Sequence, residues 1–496
     1  MKSSKINNLQ QEIIVIGSGV AGLASACRMA AEGNSVLVLE SASTYGGKIG
    51  EFAKDGFRFD KGPSLFTLPE VLDELFLDCG KNPRDYYNYL QLPIVTKYFF
   101  PDGSEVNAYA NLDAFKKELV DKLDEKADKL DAFFSQIEKV YEFVYPVFLA
   151  NPLKEFYKNI KGSWWDNLKI LLKMEAHRSL HSSNNAWFEH EKTVQLFDRF
   201  ATYNGSNPYK APATLNVIPH LEHQLGAYYV QGGMRKVVDS LFNLALDLGV
   251  RFEFNQSVEK IAIKNGEATG VDTKNQQYQG RKVFCNMDVN TGYPKLLAEQ
   301  KQPRLTLKQE KSTSALVFYW GMQITDSPLD VHNVIFSGDY KEEFACLEKG
   351  ELSDDPTVYI YISSKVDGKD APANHENWFV MINVPPDSGQ DWTSLKEKAR
   401  KNILKKLAHQ LGNSLEDKIL FEEILDPIKI ERETSSFGGA LYGNSSNNMF
   451  AAFLRHPHRN NQIKNLFFVG GSTHPGGGIP LCLLSAKIAV NGSKKE

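Results

Sequence analysis

The stretch Gln11–Glu40, QEIIVIGSGVAGLASACRMAAEGNSVLVLE, reads as strand, glycine turn, helix and strand. Ile13 to Ile16 is a short unbroken apolar run, as expected of a parallel strand buried on both faces. Gly17, Gly19 and Gly22 complete G-x-G-x-x-G directly after it. The first glycine permits the tight turn, the second lets the backbone approach a pyrophosphate, and the third lets the helix pack close to the strand. Val20 to about Ala31 then opens a helix whose N-terminal N–H groups and dipole face that phosphate. Val36 to Leu39 is the second strand, and Glu40 at its end is placed to accept hydrogen bonds from ribose hydroxyls. Strand, turn, helix and acid agree with one another, so the turn is a dinucleotide fingerprint rather than a structural glycine cluster. A weakly basic N-terminus ahead of IIVIGSGVAGLASA also resembles a secretory signal. Cleavage there would destroy the fingerprint, and Gln11-Glu12 makes a poor entry to an apolar core, so that reading is set aside.

With 496 residues the chain is long enough for about two to four domains, and 42% hydrophobic with 24% charged residues is a globular balance. A net charge of -4 gives a nucleic-acid partner no global electrostatic support. The cysteines Cys27, Cys79, Cys285, Cys346 and Cys482 are widely scattered without a C-x-x-C pair. That argues against a disulfide framework or a metal site and suits a reducing cytoplasm. No run approaches the ~18 apolar residues needed to span a bilayer, so the chain is expected not to cross a membrane but can touch one.

After Glu40 and Ser41 comes Gly46-Gly47-Lys48, a glycine pair that can bring backbone N–H groups to the cofactor with a basic side chain beside them. Phe57-Arg58-Phe59-Asp60 alternates like a strand, and Lys61-Gly62-Pro63-Ser64 breaks it where a loop can pass a flat ring. Residues 112 to 145 are charged and helical, with Phe115, Leu119, Leu123, Leu130, Phe133 and Ile137 at helical spacings. Beyond them Phe156, Tyr157, Trp164 and Trp165 are interleaved with Lys154, Lys158, Lys161, Lys169 and Lys173. Aromatics among lysines suit a helix lying in the headgroup region of a bilayer, and equally an amphipathic helix of a substrate domain. Further strands are expected at 251–254, 258–263, 282–286, 314–320, 358–362 and 378–384, with helices at 235–248 and 391–411. Near the C-terminus Leu466 to Val469 runs into Gly470-Gly471-Ser472-Thr473-His474-Pro475-Gly476-Gly477-Gly478, and Ile479 to Val490 can form a helix. A second strand–glycine–helix unit at the opposite end of the chain suits FAD, which is larger than a nicotinamide site requires.

Taken together, GSGVAGL with Glu40, GGK at Gly46–Lys48, FRFDKGPS at Phe57–Ser64, LFDRFATYNGSNPYKAPA, GAYYVQGGM, CNMD at Cys285–Asp288 and GGSTHPGGGIP resemble a known family. It is that of the bacterial-type phytoene desaturases and related carotenoid desaturases, within the FAD-dependent, amine-oxidase-like flavoproteins. The resemblance covers nearly the whole chain. It implies an α/β fold: a Rossmann-type FAD-binding domain (residues 1–95, 228–300 and 415–496) with an inserted α+β substrate domain (96–227 and 301–414). A helical, membrane-contacting part would lie near 140–180. It further implies FAD held non-covalently by Gly17, Ser18, Gly19, Val20, Ala21, Gly22, Glu40, Ser41, Gly46, Gly47, Lys48, Gly62, Pro63, Ser64 and Val258. Gly470, Gly471, Ile479, Pro480 and Leu481 would stand near the flavin.

Two positions depart from the commoner family pattern. Lys48 stands where arginine is usual, turning a forked phosphate contact into a point charge, and Pro480 is followed by Leu481-Cys482 instead of Gly-Val. Bulkier residues beside the flavin lean towards the branch that desaturates one end of an already coloured carotenoid, such as the 1-hydroxycarotenoid 3,4-desaturases. A phytoene desaturase, a carotenoid isomerase or oxygenase on the same fold, and a flavin-bound membrane escort are the alternatives. The expected partners are an apolar polyene and a membrane surface, with the protein in the cytoplasm at that surface; no electron acceptor is assigned. Asp198, His220, Glu222 and His223 are candidate proton acceptors by their setting, but each is more simply a structural hydrogen bond or surface charge. No catalytic base and no metal ligand is assigned, and His474 is read as ordering its loop.

Overall fold

The computed structural model describes residues 11–152, 174–448, 450–451, 453–460 and 462–494. The aromatic and lysine segment from Lys154 to Lys173 lies outside the described residues.

The fingerprint folds as its spacing predicts. Strand β1 (Gln11–Ile16), helix α1 (Val20–Ala31) and β2 (Val36–Leu39) follow one another, with β1 parallel to β2. The first sheet extends both ways from them. On one side β10 (Arg251–Glu253) pairs in parallel with β2; on the other β13 (Gln277–Cys285) pairs in parallel with β1. β19 (Leu466–Phe468) joins β13 in parallel, while β12 (Glu267–Thr273) and β11 (Val258–Lys264) continue as an antiparallel meander. Ile13 to Val15 and Val36 to Leu39 are buried throughout, because helices cover one face and the meander side covers the other. The C-terminal helix Ile479–Ser493 packs against α1, so the two chain ends share one layer.

A second, mixed sheet has the order β18 (Ile419–Leu425), β14 (Ser314–Met322), β17 (Glu376–Val384), β16 (Val358–Tyr361), β15 (His332–Ile335), β7 (Ile94–Phe99) and β8 (Glu105–Tyr109). One face packs on the helices Tyr340–Glu348 and Trp392–Leu411 around Trp320 and Trp378. The opposite face carries Tyr319, Tyr359, Tyr361 and Phe379 towards the hairpin β3 (Gly50–Lys54) and β4 (Phe57–Lys61), and at its β7 end Tyr98 towards the helices Leu112–Leu123 and Ala127–Val144.

The predicted helix over 112–145 is two helices, Leu112–Leu123 and Ala127–Val144, because Asp124 ends the first in a left-handed conformation (φ 57°). The strand expected at 282–286 begins earlier, at Gln277, where it pairs with β12 before it enters the parallel core. The GAYYV stretch supplies a further strand, β9 (Ala227–Val230), which holds β5 (Phe66–Thr67) and β6 (Tyr89–Gln91) on its two edges.

Candidate functional site

The glycines of the fingerprint are required by contact as well as by conformation. A Cβ at Gly22 would lie 2.1 Å from the Gly17 carbonyl oxygen, and Gly17 itself has φ +89°. Helix α1 begins with no side-chain cap and no acid in its first turn. Of its early N–H groups, that of Gly22 donates to Asn286 Oδ1 at 3.1 Å, while those of Val20 and Ala21 find no partner among the described residues. An uncapped helix start without acids is an anion site.

Glu40 closes the turn from the other side. Its carboxylate accepts from Ser18 N at 2.8 Å, Ser18 Oγ at 2.7 Å, Ala42 N at 2.8 Å and Ser41 Oγ at 3.2 Å. The acid therefore fixes the glycine turn to the end of β2, with two of these bonds on each of its oxygens. Gln256 N–H donates to the Glu40 carbonyl at 2.8 Å, which brings Val258 and the start of β11 to the same end of the sheet.

The Gly46-Gly47 pair lies on top of this turn. Gly46 N–H donates to the Ser18 carbonyl at 3.0 Å, and a Cβ at Gly47 would be 3.1 Å from the Gly19 Cα. Gly62 (φ +105°) is pressed on the Lys48 carbonyl, which a Cβ would meet at 2.0 Å. Lys48 Nζ donates to the carbonyls of Leu441 at 2.6 Å and Ala440 at 3.3 Å, and burial pulls its pKa below the ordinary lysine value. Pro63 is half-buried, and Ser64 Oγ is 2.6 Å from Tyr359 Oη on β16.

The C-terminal turn completes the arrangement. Gly470 has φ +113° and accepts no Cβ, because Asn286 Nδ2 would be 2.5 Å from it; its N–H donates to Ser485 Oγ at 3.1 Å. Gly471 packs on Gly477, and Gly478 (φ +105°) leads without a side-chain cap into Ile479, Pro480 and Leu481 at the start of the last helix. His474 lies in the loop between, with Nε2 2.9 Å from the carbonyls of Phe148 and Asn151, so as the Nε2–H tautomer it ties that loop to the chain just beyond the helix Ala127–Val144. Burial lowers its pKa to about 4.

Asn286 was not singled out by sequence reasoning. It follows β13, accepts from Gly22 N–H and donates from Nδ2 to the Val469 carbonyl at 3.0 Å, joining the two glycine turns. Its sequence signals are its place in the CNMD motif and directly after an apolar strand, and neither says which residues it joins.

Four side chains report a hollow inside the molecule. Burial lowers the pKa of Lys48 and raises those of Tyr359, Tyr442 and Cys482, yet Lys48 is exposed and the other three keep part of their surface accessible, as side chains around an internal hollow do. Two uncapped helix starts, glycines that a side chain would fill, and this hollow fit a long flavin dinucleotide. The residues that would hold it are those of the three glycine turns.

The expected proton acceptors are not brought together as a set. Asp198 accepts from Asn184 at 2.9 Å and pairs with His181 at 2.7 Å; His220 Nδ1 is 2.6 Å from Gln224 Oε1. Glu222 instead pairs with Arg199 and Tyr203, with His223 beside them. Among the described residues no group of three His, Cys, Asp or Glu could hold a metal ion, all five cysteines are free, and no helix is long and apolar enough to cross a membrane.

The model of the family described as flavin-containing amine oxidoreductase matches residues 20–492. The chain belongs to that family. It is an FAD-dependent oxidoreductase with the family's mixed α/β fold. It is 46% identical over 485 residues to the 1-hydroxycarotenoid 3,4-desaturase of Flavobacterium sp. (strain P99-3), covering 97% of this chain and 98% of that one. It is 32% identical to the 4,4'-diapolycopene oxygenase of Methylomonas sp, over 97% and 98% of the two chains. The solved structure of an oxidoreductase from Methanosarcina mazei shares the fold with a TM-score of 0.65 at 14% identity, over 98% of this chain and 100% of that chain.

Proposed function

We propose that this flavoenzyme is a carotenoid desaturase, acting at the 3,4 bond of a polyene with a 1-hydroxylated end. The observation that carries the reading is an aromatic and apolar sheet face that opens onto the hollow beside Ser64. Tyr359 on β16 and Met381 on β17 are neighbours in register on strands in the middle of the sheet, yet both remain half-accessible. Around them stand Val317, Phe379, Leu425 and Leu441, a lining suited to a hydrocarbon chain. The identity to the Flavobacterium 3,4-desaturase along nearly the full length supports the same choice.

Bound FAD supplies the two-electron acceptor that side chains lack. The protein's own tasks are to hold it, to exclude water and to place the target bond. In this reading the dinucleotide lies on Gly17–Gly22, Glu40–Ser41, Gly46–Lys48 and Val258, and the ring lies between Gly62–Ser64 and the Gly470–Leu481 turn and helix start. The first sheet then serves the cofactor and the second the polyene. Peripheral attachment to the cytoplasmic side of a membrane fits an exposed apolar group, Leu305, Phe450, Phe453 and Leu454, with Phe148 edge-on to Phe453 at 5.5 Å. Arg304 and Lys308 flank Leu305 in sequence and would favour anionic lipid.

The test is to incubate the FAD-loaded protein in liposomes with phytoene, γ-carotene and their 1-hydroxy derivatives. A red-shifted product lighter by two hydrogens is expected, fastest from a 1-hydroxy substrate; no such product from any of them overturns the reading. Gain of oxygen would assign the chain to the oxygenase reading that its likeness to the Methylomonas protein also raises.

A further inference from the structure

A charged cluster sits at Tyr98, on the second sheet's face opposite Trp320 and Trp378, among otherwise apolar side chains. The helix Glu191–Asp198 runs into a tight turn, Arg199–Asn204, that carries Arg199 and Tyr203; the helix Val217–His223 brings Glu222. Arg199 Nη2 donates to Tyr98 Oη at 2.6 Å and to Glu222 Oε1 at 3.1 Å, and Tyr203 Oη donates to Glu222 Oε2. The guanidinium lies over the rings of Phe200 at 4.7 Å, Tyr98 at 5.2 Å and Tyr203 at 5.2 Å. Glu222 is 1% and Arg199 7% exposed, so both charges are removed from water.

Such a pair adds little to stability, since desolvation offsets its attraction. A pair kept only to order the fold should have its remaining valences satisfied. Here they are not. Arg199 Nε and both ring nitrogens of His223 are buried without hydrogen-bond partners among the described residues. Burial raises the pKa of Tyr203, yet its side chain keeps part of its surface accessible, as that of Tyr359 does.

Its position relative to Ser64 follows from strand register. Tyr98, Val334, Tyr359, Met381, Val317 and Leu425 form one row across β7, β15, β16, β17, β14 and β18. Tyr98 and Tyr359 are two strands apart in this row, about 10 Å. Tyr359 Oη reaches Ser64 Oγ at 2.6 Å and His332 Nδ1 at 2.7 Å, and His332 Nε2 is another buried nitrogen without a partner. Polar groups thus stand at both ends of this part of the row, Arg199 with Tyr98 at one and Tyr359 with His332 and Ser64 at the other, with Val334 between them.

We propose that Arg199, Tyr203 and Glu222 form a subsite for a hydroxyl group at the end of the polyene substrate. The proposal rests on the desaturase reading and adds the residues that would choose the substrate. A hydroxyl both donates and accepts, so it can donate to the Glu222 carboxylate while accepting from Arg199. A hydrocarbon end would cover the pair and leave the spare donor of Arg199 without a partner, an arrangement that discriminates strongly against an analogue lacking the polar group. In a 1-hydroxylated end group the oxygen is only a few bonds from the 3,4 bond, so with the hydroxyl at the subsite the target bond would lie on the side of it that faces Tyr359 and Ser64, two strands along the row.

The experiment compares two polyenes that differ only in the 1-hydroxyl, using FAD-loaded wild type, Tyr203→Phe, Glu222→Gln and Arg199→Lys in liposomes. Two ratios are read: kcat/KM for the hydroxylated over the deoxygenated polyene, and their relative binding by quenching of tryptophan fluorescence. Wild type should favour the hydroxylated polyene by about 100-fold or more, and each variant should cut that preference by about tenfold or more. Tyr203→Phe removes one hydroxyl and nothing else, so it carries the test if Arg199→Lys does not fold. Variants with normal FAD content and an unchanged preference, or an equal loss on both polyenes, overturn the subsite. If wild type converts neither polyene, the desaturase reading falls, and the binding ratio by itself then decides for or against the subsite.

Discussion

The Gly22 N–H donates to Asn286 Oδ1 at 3.1 Å, a bond between residues 264 positions apart. The same side chain donates to Val469 O at 3.0 Å and lies where a Cβ of Gly470 would stand. One carboxamide thereby fixes the distance between the first glycine turn and the last. Asn286→Ala removes both bonds and leaves the Val469 carbonyl and the Gly22 N–H to be satisfied by water; a loss of about 2–4 kcal/mol is expected. Urea unfolding of the FAD-free protein and a titration of FAD by flavin fluorescence check it. Unchanged stability together with unchanged FAD affinity would show that the two turns hold their spacing without Asn286.

Glu40 accepts from two backbone N–H groups and two hydroxyls, all within 3.2 Å. Glu40→Gln sets an amide donor against other donors and removes the charge, so FAD affinity should fall about 10- to 100-fold, in keeping with hydrogen bonds to a charged group. A fluorescence titration giving the wild-type Kd would rule out this acid as part of the dinucleotide site.

Gly62 and Gly33 both have positive φ, +105° and +84°, but only Gly62 is hemmed in, by the Lys48 carbonyl at 2.0 Å from its would-be Cβ. Gly33→Ala should cost about 1 kcal/mol, the strain of a left-handed alanine. Gly62→Ala adds a backbone clash and should cost about 3 kcal/mol or more, with FAD content falling as the Lys48 segment is displaced. Equal destabilisation of the two variants in urea would mean that conformation, not contact, fixes Gly62.

His474 has its pKa lowered by burial to about 4, against an ordinary value of 6.5. The unfolded chain therefore takes up a proton below pH 6.5 that the folded chain refuses. Stability from this group is complete above pH 6.5 and is lost as pH falls towards 4, by about 1.4 kcal/mol per pH unit at full slope. His223 and His456 (about 4) and His332 and His458 (about 3) act in the same direction, while buried Asp60, Asp198 and Glu343, whose pKa values are raised by burial, oppose it. The difference between wild type and His474→Gln isolates the one group: the slope of unfolding free energy between pH 6.5 and 4.5 should drop by up to one proton. Parallel profiles for the two proteins would contradict a neutral His474.

The glycine turns, the helix after each, and the acid at the end of β2 were legible in the residues because their causes are local. A tight turn needs glycine, a helix start needs unsatisfied N–H groups, and both act within a few positions. Most element positions follow from the same short-range periodicity; the helix over 112–145 divides in two because Asp124 takes a left-handed conformation that apolar spacing does not record. The FAD choice needed both chain ends and was still readable, since each end carries its own glycine signature. The partners that define the site's shape were not readable. Asn286 on Gly22, Gly47 on Gly19, Ser64 on Tyr359, and Arg199 between Tyr98 and Glu222 are contacts across folded distance, with no spacing rule to announce them. The sequence by itself determined the cofactor, because a backbone conformation selects it. Only the tertiary structure decided where charge and hydroxyls stand on the second sheet, because burial and strand register bring those side chains together.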